Sequence, residues 1–166
     1  MKKYLVLALC LLILTVGHAQ NYTEYFANKT LRVDYIFTGD ASCQNVCLDE
    51  LSVLPSWAGR HQHLAELPLQ GNGQIIMKDL ESGKTVYTTS FSSLFQEWLE
   101  TDEAKVVSKG FENTFLLPYP LRPVEIEITL LSPRKEVRTC LKHTVRPNDV
   151  LIHQKGTAHI TPHKYL

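Results

Sequence analysis

The sequence predicts a mostly β protein, an Ig-like antiparallel β-sandwich of about seven or eight strands with one short helix near residues 93–100. Three observations predict it. Leu31, Val33, Tyr35 and Phe37 alternate with Arg32, Asp34, Ile36 and Thr38, the period of two expected of a strand with one buried face. The same period returns late in the chain. There Val124, Ile126, Ile128 and Leu130 oppose Glu125, Glu127 and Thr129, and Val137, Thr139, Leu141, His143 and Val145 alternate with Arg138, Cys140, Lys142 and Thr144 as an antiparallel partner. Between these runs, turn signals recur about every eight to twelve residues, the spacing of a sandwich rather than of βαβ units.

The remaining elements follow in chain order. Residues 20–29 are polar and aromatic without a period and read as a flexible leader. The first strand runs from about residue 30 to a Gly39-Asp40 turn, and a second covers Gln44 to Leu51, stopped by Pro55. Trp57 to Leu64 reads as a further short strand. Gly71-Asn72-Gly73 marks a turn into Ile75, Ile76, Met77 and Leu80, and the polar Glu81-Ser82-Gly83-Lys84 loop leads to Val86-Tyr87-Thr88, which makes a hairpin. Ser93 and Gln96 form a capping-box pair. Leu94 with Trp98, and Phe95 with Leu99, stack at a spacing of four, so a short helix closes one end of the sheet pair. Phe111 to Leu117 returns to strand, and Pro118, Pro120 and Pro123 mark an extended crossover.

The N-terminus carries a different signal. Lys2 and Lys3 precede an apolar run from Leu5 to Val16, and Gly17 and Ala19 are the small residues that suit signal peptidase, so residues 1–19 read as a secretory signal peptide cut near Ala19. A retained anchor is the alternative, disfavoured because the apolar run is short and no charged stop-transfer flank follows. The expected location is therefore secreted, periplasmic or cell-surface, with no membrane span after processing. Loss of Lys2 and Lys3 takes the 17 basic residues to 15 against 17 acidic ones, a formal charge of −2 spread evenly along the chain, which excludes an electrostatic nucleic-acid binder. Asn21-Tyr22-Thr23 and Asn28-Lys29-Thr30 match the N-glycosylation sequon, but the short lysine-paired signal is of bacterial type and both matches are read as coincidental.

Cleavage removes Cys10 and leaves Cys43, Cys47 and Cys140, an odd number that argues against a disulfide framework. Cys43 and Cys47 in one strand would stand about 13 Å apart, too far to bridge. A Cys47–Cys140 bridge across neighbouring strands stays open beside the reading of all three as small buried apolar residues.

No catalytic, cofactor or metal residue is assigned. His61-x-His63 on one strand face offers two zinc-ligand positions, but no third is evident and a solvated strand or loop is the favoured reading. His159 and His163 have helical ligand spacing, but Thr161 and Pro162 between them disfavour a helix. The His-Glu-x-x-His zinc-protease signature is absent, as are the Gly-x-Ser-x-Gly nucleophile turn and a glycine-rich phosphate loop. Nothing visible lowers the thiol pKa of Cys43 or Cys47 toward a nucleophilic pair with histidine. Glu125 and Glu127 share a strand face that reads as solvated. Trp57, Trp98, Tyr35 and Tyr119 could line a sugar platform or pack in the core. Trp57, Arg60, His61, His63 and Tyr119 form the candidate interaction surface, for a protein or glycan of host or diet.

Three strings carry a family resemblance: Leu31-Arg32-Val33-Asp34-Tyr35-Ile36-Phe37-Thr38-Gly39-Asp40, Leu54-Pro55-Ser56-Trp57-Ala58-Gly59-Arg60, and Ser90-Phe91-Ser92-Ser93-Leu94-Phe95-Gln96-Glu97-Trp98-Leu99. Phe111-Glu112-Asn113-Thr114-Phe115-Leu116-Leu117-Pro118 and Thr161-Pro162-His163-Lys164-Tyr165-Leu166 extend it. With these the chain resembles the N-terminal domain of IgA-peptidase-type zinc metallopeptidases, peptidase family M64, of Bacteroides-like bacteria. The resemblance implies a β-sandwich that precedes a separate catalytic domain bearing the His-Glu-x-x-His helix. Zinc is then expected only in that domain, which is missing here, and residues 30–152 are the sandwich, with 153–166 a linker toward the catalytic domain. The implied role is a non-catalytic accessory domain that positions or stabilises the protease and its substrate. The alternative is a free-standing secreted module that binds glycan or protein.

Overall fold

In a computed structural model, residues 21–66, 70–131 and 136–155 are described, with the side chains of 137–140 outside the description. The predicted signal peptide, His159, His163 and the Ser132–Lys135 turn lie outside the described residues. A short helix α1 (Tyr22–Tyr25) leads into strand β1 (Phe26–Gly39), followed by β2 (Gln44–Leu54), β3 (Gly73–Asp79) and β4 (Thr85–Phe91). Helix α2 (Leu94–Trp98) and a 3-10 turn (Glu103–Lys105) precede β5 (Lys109–Pro120), β6 (Val124–Leu131), β7 (Val137–Val145) and β8 (Ile152–Gln154). The strands form two four-stranded sheets, ordered β5-β1-β2-β8 and β4-β3-β6-β7. The architecture is the predicted β-sandwich, antiparallel except where β8 runs parallel to β2.

The core follows the alternation. Leu31, Val33, Tyr35 and Phe37 of β1 are buried against Ile75 and Met77 of β3 and Ile126, Ile128 and Leu130 of β6. Phe37 stands at the centre of an aromatic cluster, with ring centroids 5.9 Å from Phe91, 6.2 Å from Phe95 and 6.2 Å from Phe115. Such clusters bury large apolar areas and add edge-to-face attraction. At Gly73 the chain passes so close to this cluster that a Cβ would lie 2.2 Å from the Phe91 ring. The neighbouring Asn72 ties three elements together: its N–H donates to the Phe91 carbonyl, its carbonyl accepts from Leu131 N–H, and its side chain accepts from Ser93 N–H.

Helix α2 forms where the capping pair places it. The Ser93 hydroxyl accepts from Gln96 N–H, and the Gln96 side chain donates to the Leu131 carbonyl, locking the helix over the open end of the sandwich. Phe95 and Leu99 point inward while Leu94 is exposed, so only one of the two predicted stacked pairs belongs to the core. At the β1–β2 turn Asp40 accepts from Ser42 N–H, Cys43 N–H and the Ser108 hydroxyl. These bonds, first among them those from Ser42, hold its carboxyl at about 2.

Several expectations are corrected. Residues 22–29 are not a flexible leader, because Tyr22, Tyr25 and Phe26 are buried and the sheet begins at Phe26; too few apolar residues precede Leu31 for a period to show. Trp57 to Leu64 forms no strand, since the segment turns back on itself with His63 at φ 51. Pro118 and Pro120 sit inside β5 rather than in a crossover, which is tolerable because β5 is an edge strand. Glu127 is buried instead of solvated, 2.7 Å from Lys78 and 3.1 Å from Lys142 on the flanking strands. Cys43 and Cys47 are free and exposed, not buried. Cys47 and Cys140 occupy strands of different sheets, β2 and β7, so they are not on neighbouring strands of one sheet. His153 and Gln154, expected as the start of a linker, belong to strand β8 and pair with Ser52 and Val53.

The helix supplies a direct check on this packing. Phe95→Ala should lower the unfolding free energy by about 3–5 kcal/mol in urea titrations, whereas Leu94→Ala should change it by less than about 0.5 kcal/mol. Equal effects would show that the buried face is assigned wrongly.

Candidate functional site

Of the predicted interaction surface, His61 and His63 are exposed, Arg60 and Tyr119 half-buried and Trp57 buried. Trp57 is buried, its indole N–H donating to the Arg60 carbonyl at 3.1 Å and its ring meeting Tyr87 edge-on at 6.0 Å. Gly59 permits this: a Cβ there would stand 2.1 Å from the Trp57 ring. Arg60 then lies with its guanidinium 4.8 Å from the Tyr87 ring centroid and donates to the carbonyls of Leu64, at 2.8 Å, and Thr88. Thr88 N–H returns a bond to Leu64 carbonyl at 2.8 Å. The Leu54–Arg60 motif thus folds the β2–β3 connection onto the edge strand β4. Its residues serve packing, and the partners Tyr87, Leu64 and Thr88 carried no local signal in the sequence.

His61 and His63 are exposed. His61 stacks obliquely on Tyr22 at 4.3 Å, and His63 Nδ1 lies 3.9 Å from Glu66 Oε2. They are not on a strand, so the same-face geometry proposed for two zinc ligands is absent. Among the described residues no group of three His, Cys, Asp or Glu side chains is placed to hold a metal ion. Tyr119 is half-buried and donates its hydroxyl proton to the Pro147 carbonyl. Of the four aromatics read as a possible sugar platform, Tyr35 and Trp57 are inside, while Trp98 packs on Phe95 and Phe111 beneath Lys109.

Between the sheets, Tyr35 of β1 and His143 of β7 meet, with the hydroxyl 2.7 Å from Nε2. Burial pushes the His143 imidazole down to about 4 and raises the Tyr35 phenol, so both groups are neutral at physiological pH. His143 Nδ1 is buried without a hydrogen-bond partner among the described residues. Neither Cys43 nor Cys47 has a histidine partner among the described residues. Cys43 instead accepts from the Asn45 amide at 3.6 Å.

The end of the sandwich where β5 passes into β6 presents a different surface. The Leu121–Pro123 turn is anchored by Leu121 N–H to the Tyr25 carbonyl, at 2.8 Å, and by Leu80 N–H to the Pro123 carbonyl, at 3.0 Å. Arg122 lies 5.1 Å from the Tyr25 ring centroid and 3.8 Å from Glu24 Oε1. The connection from β7 to β8 is closed by Asp149 N–H to Arg146 carbonyl and Ile152 N–H to Asp149 carbonyl. Two shallow grooves meet at Pro123, one lined by Leu121, Pro147 and Val150 and the other by Leu80 and Arg122.

This geometry defines a β-sandwich module whose notable polar side chains tie strands and loops together. Over residues 21–142 the sequence matches the family model described as Peptidase M64 N-terminus. The matched segment runs from α1 into β7, most of the chain, and the protein belongs to that family of peptidase N-terminal domains. No curated protein matches the chain.

The buried imidazole gives the molecule a pH dependence. Its pKa is about 4 folded against an ordinary 6.5, so the unfolded chain binds a proton more tightly and stability falls as pH drops through that window. Between pH 7.5 and 5 the loss from this group should be about 2 kcal/mol. Asp34 and Asp79 are shifted in the same direction, below the ordinary carboxylate value, so they too favour the folded state less as pH falls, but only at the lower pH where carboxylates take up protons. Urea unfolding at both pH values should show the drop in the wild-type chain and little of it in His143→Gln. An equal drop in both would place the titrating group elsewhere.

Proposed function

We propose that this chain acts as a non-catalytic accessory domain of an exported, IgA-type zinc peptidase, positioning or stabilising the peptidase domain and, through it, the substrate. The observation that carries the reading is the match of residues 21–142 to the Peptidase M64 N-terminus family. Export rests on the charged, apolar and small-residue sequence of residues 1–19. The structure agrees with a supporting role, because the side chains singled out from the sequence as possible binding groups contribute to packing at Trp57, Arg60 and Tyr35. Zinc, in this reading, resides in the peptidase domain. The inward placement of Tyr35 and Trp57 removes much of the motive for a free-standing glycan binder.

The purified chain, given zinc and a peptide substrate, should show no turnover. Adding it to the peptidase domain encoded with it should raise that domain's melting temperature, as expected when a partner binds the native state. Zinc-dependent turnover by the chain alone, or no effect on the peptidase domain, would sink the reading.

A further inference from the structure

We propose that the end face built from Leu80, Leu121, Pro123 and Val150 is the surface on which the peptidase domain seats, an inference that rests on the accessory reading above. The first ground is exposure. Leu80 is 47% exposed, Leu121 50% and Val150 94%, with Leu151 beside it at 69%. Water-facing apolar side chains concentrated on one rim, with charged Glu81, Arg122, Arg146 and Asp149 around them, have the layout of an interface core and its polar border.

The second ground is rigidity. These side chains project from loops fixed by the backbone bonds at Leu121, Leu80, Asp149 and Ile152, and by the Tyr119 bond to Pro147. Pro123 and Pro147 restrict the backbone further. A surface held in one shape loses little conformational entropy when it docks.

The third ground is where the chain leads. Strand β8 runs parallel to β2, its Ile152, His153 and Gln154 beside Leu51, Ser52 and Val53. Leu54 pairs with Thr30, Thr30 with Pro118, and Phe26 with Pro120. The end toward which β8 points is therefore the end that carries the Leu121–Pro123 turn. On the accessory reading, a peptidase domain that follows in the chain lies beyond β8, whose described residues run toward this side. The exposed Leu94, at the cap of the opposite end, and Val106 have no such connection.

Isothermal titration of the chain with the peptidase domain encoded with it tests the assignment. The wild-type chain should bind, and the double variant Leu121→Asp with Val150→Asp should bind at least about tenfold more weakly, while Val106→Asp should stay within about twofold of wild type. Circular dichroism should show the double variant folded. If it does not fold, Val150→Asp alone, at a 94% exposed position, serves in its place. Full-strength binding by the end-face variant together with weakening by Val106→Asp would overturn the assignment and leave the accessory reading standing. Absence of binding by the wild-type chain would overturn both.

Discussion

The structure depends on one strand. β1 is 14 residues long, pairs with β2 on one side and β5 on the other, and turns Leu31, Val33, Tyr35 and Phe37 into the space between the sheets. Because side chains alternate with a period of two, a slip of one residue would exchange this apolar set for Arg32, Asp34 and Thr38. The burial of four large side chains therefore sets the register of the whole β5-β1-β2 unit. The second sheet packs against it, and α2 and the Trp57–Arg60 loop close over its margins.

Several of the polar groups that enter this core meet a partner from another strand or loop. Tyr35 reaches across the sheets to His143, Glu127 lies between Lys78 and Lys142, and Arg60 satisfies two carbonyls on separate segments. Buried ionic and hydrogen-bonded groups add little net stability compared with apolar residues, but a misplaced register strands them without partners. Their role here is best understood as specification of one arrangement. Tyr35 and His143, drawn from strands of opposite sheets, fix β1 against β7; Glu127 fixes β6 between β3 and β7.

Membership in the Peptidase M64 N-terminus family gives these details a functional setting. The aromatic and basic residues that look like recognition groups in the sequence form a packing lock at the β2–β3 connection, with Gly59 admitting the Trp57 ring. Aliphatic residues at the β5–β6 turn and the β7–β8 connection, unremarkable in sequence, are among those left facing water, here on firmly held loops. The polar motifs serve the domain's own cohesion, and the apolar side chains of this rim lie at the end toward which β8 runs.

What the sequence by itself determined is everything carried by short-range periodicity and local chemistry. The inward set of β1, the alternation of β6, the β3–β4 hairpin with its Gly83 loop and the Ser93 cap of α2 all follow from neighbours within a few residues. So did the family, since long strings around Trp57 and Phe95 were intact. Tertiary structure alone decided which strands flank β6, and so buried Glu127 beside two lysines. It also decided that Tyr22 and Tyr25 pack inward, that Trp57 is covered by a distant Tyr87, and that Cys43 and Cys47 face solvent. These outcomes depend on partners tens of residues away, and a side chain's burial is a property of what the fold brings against it.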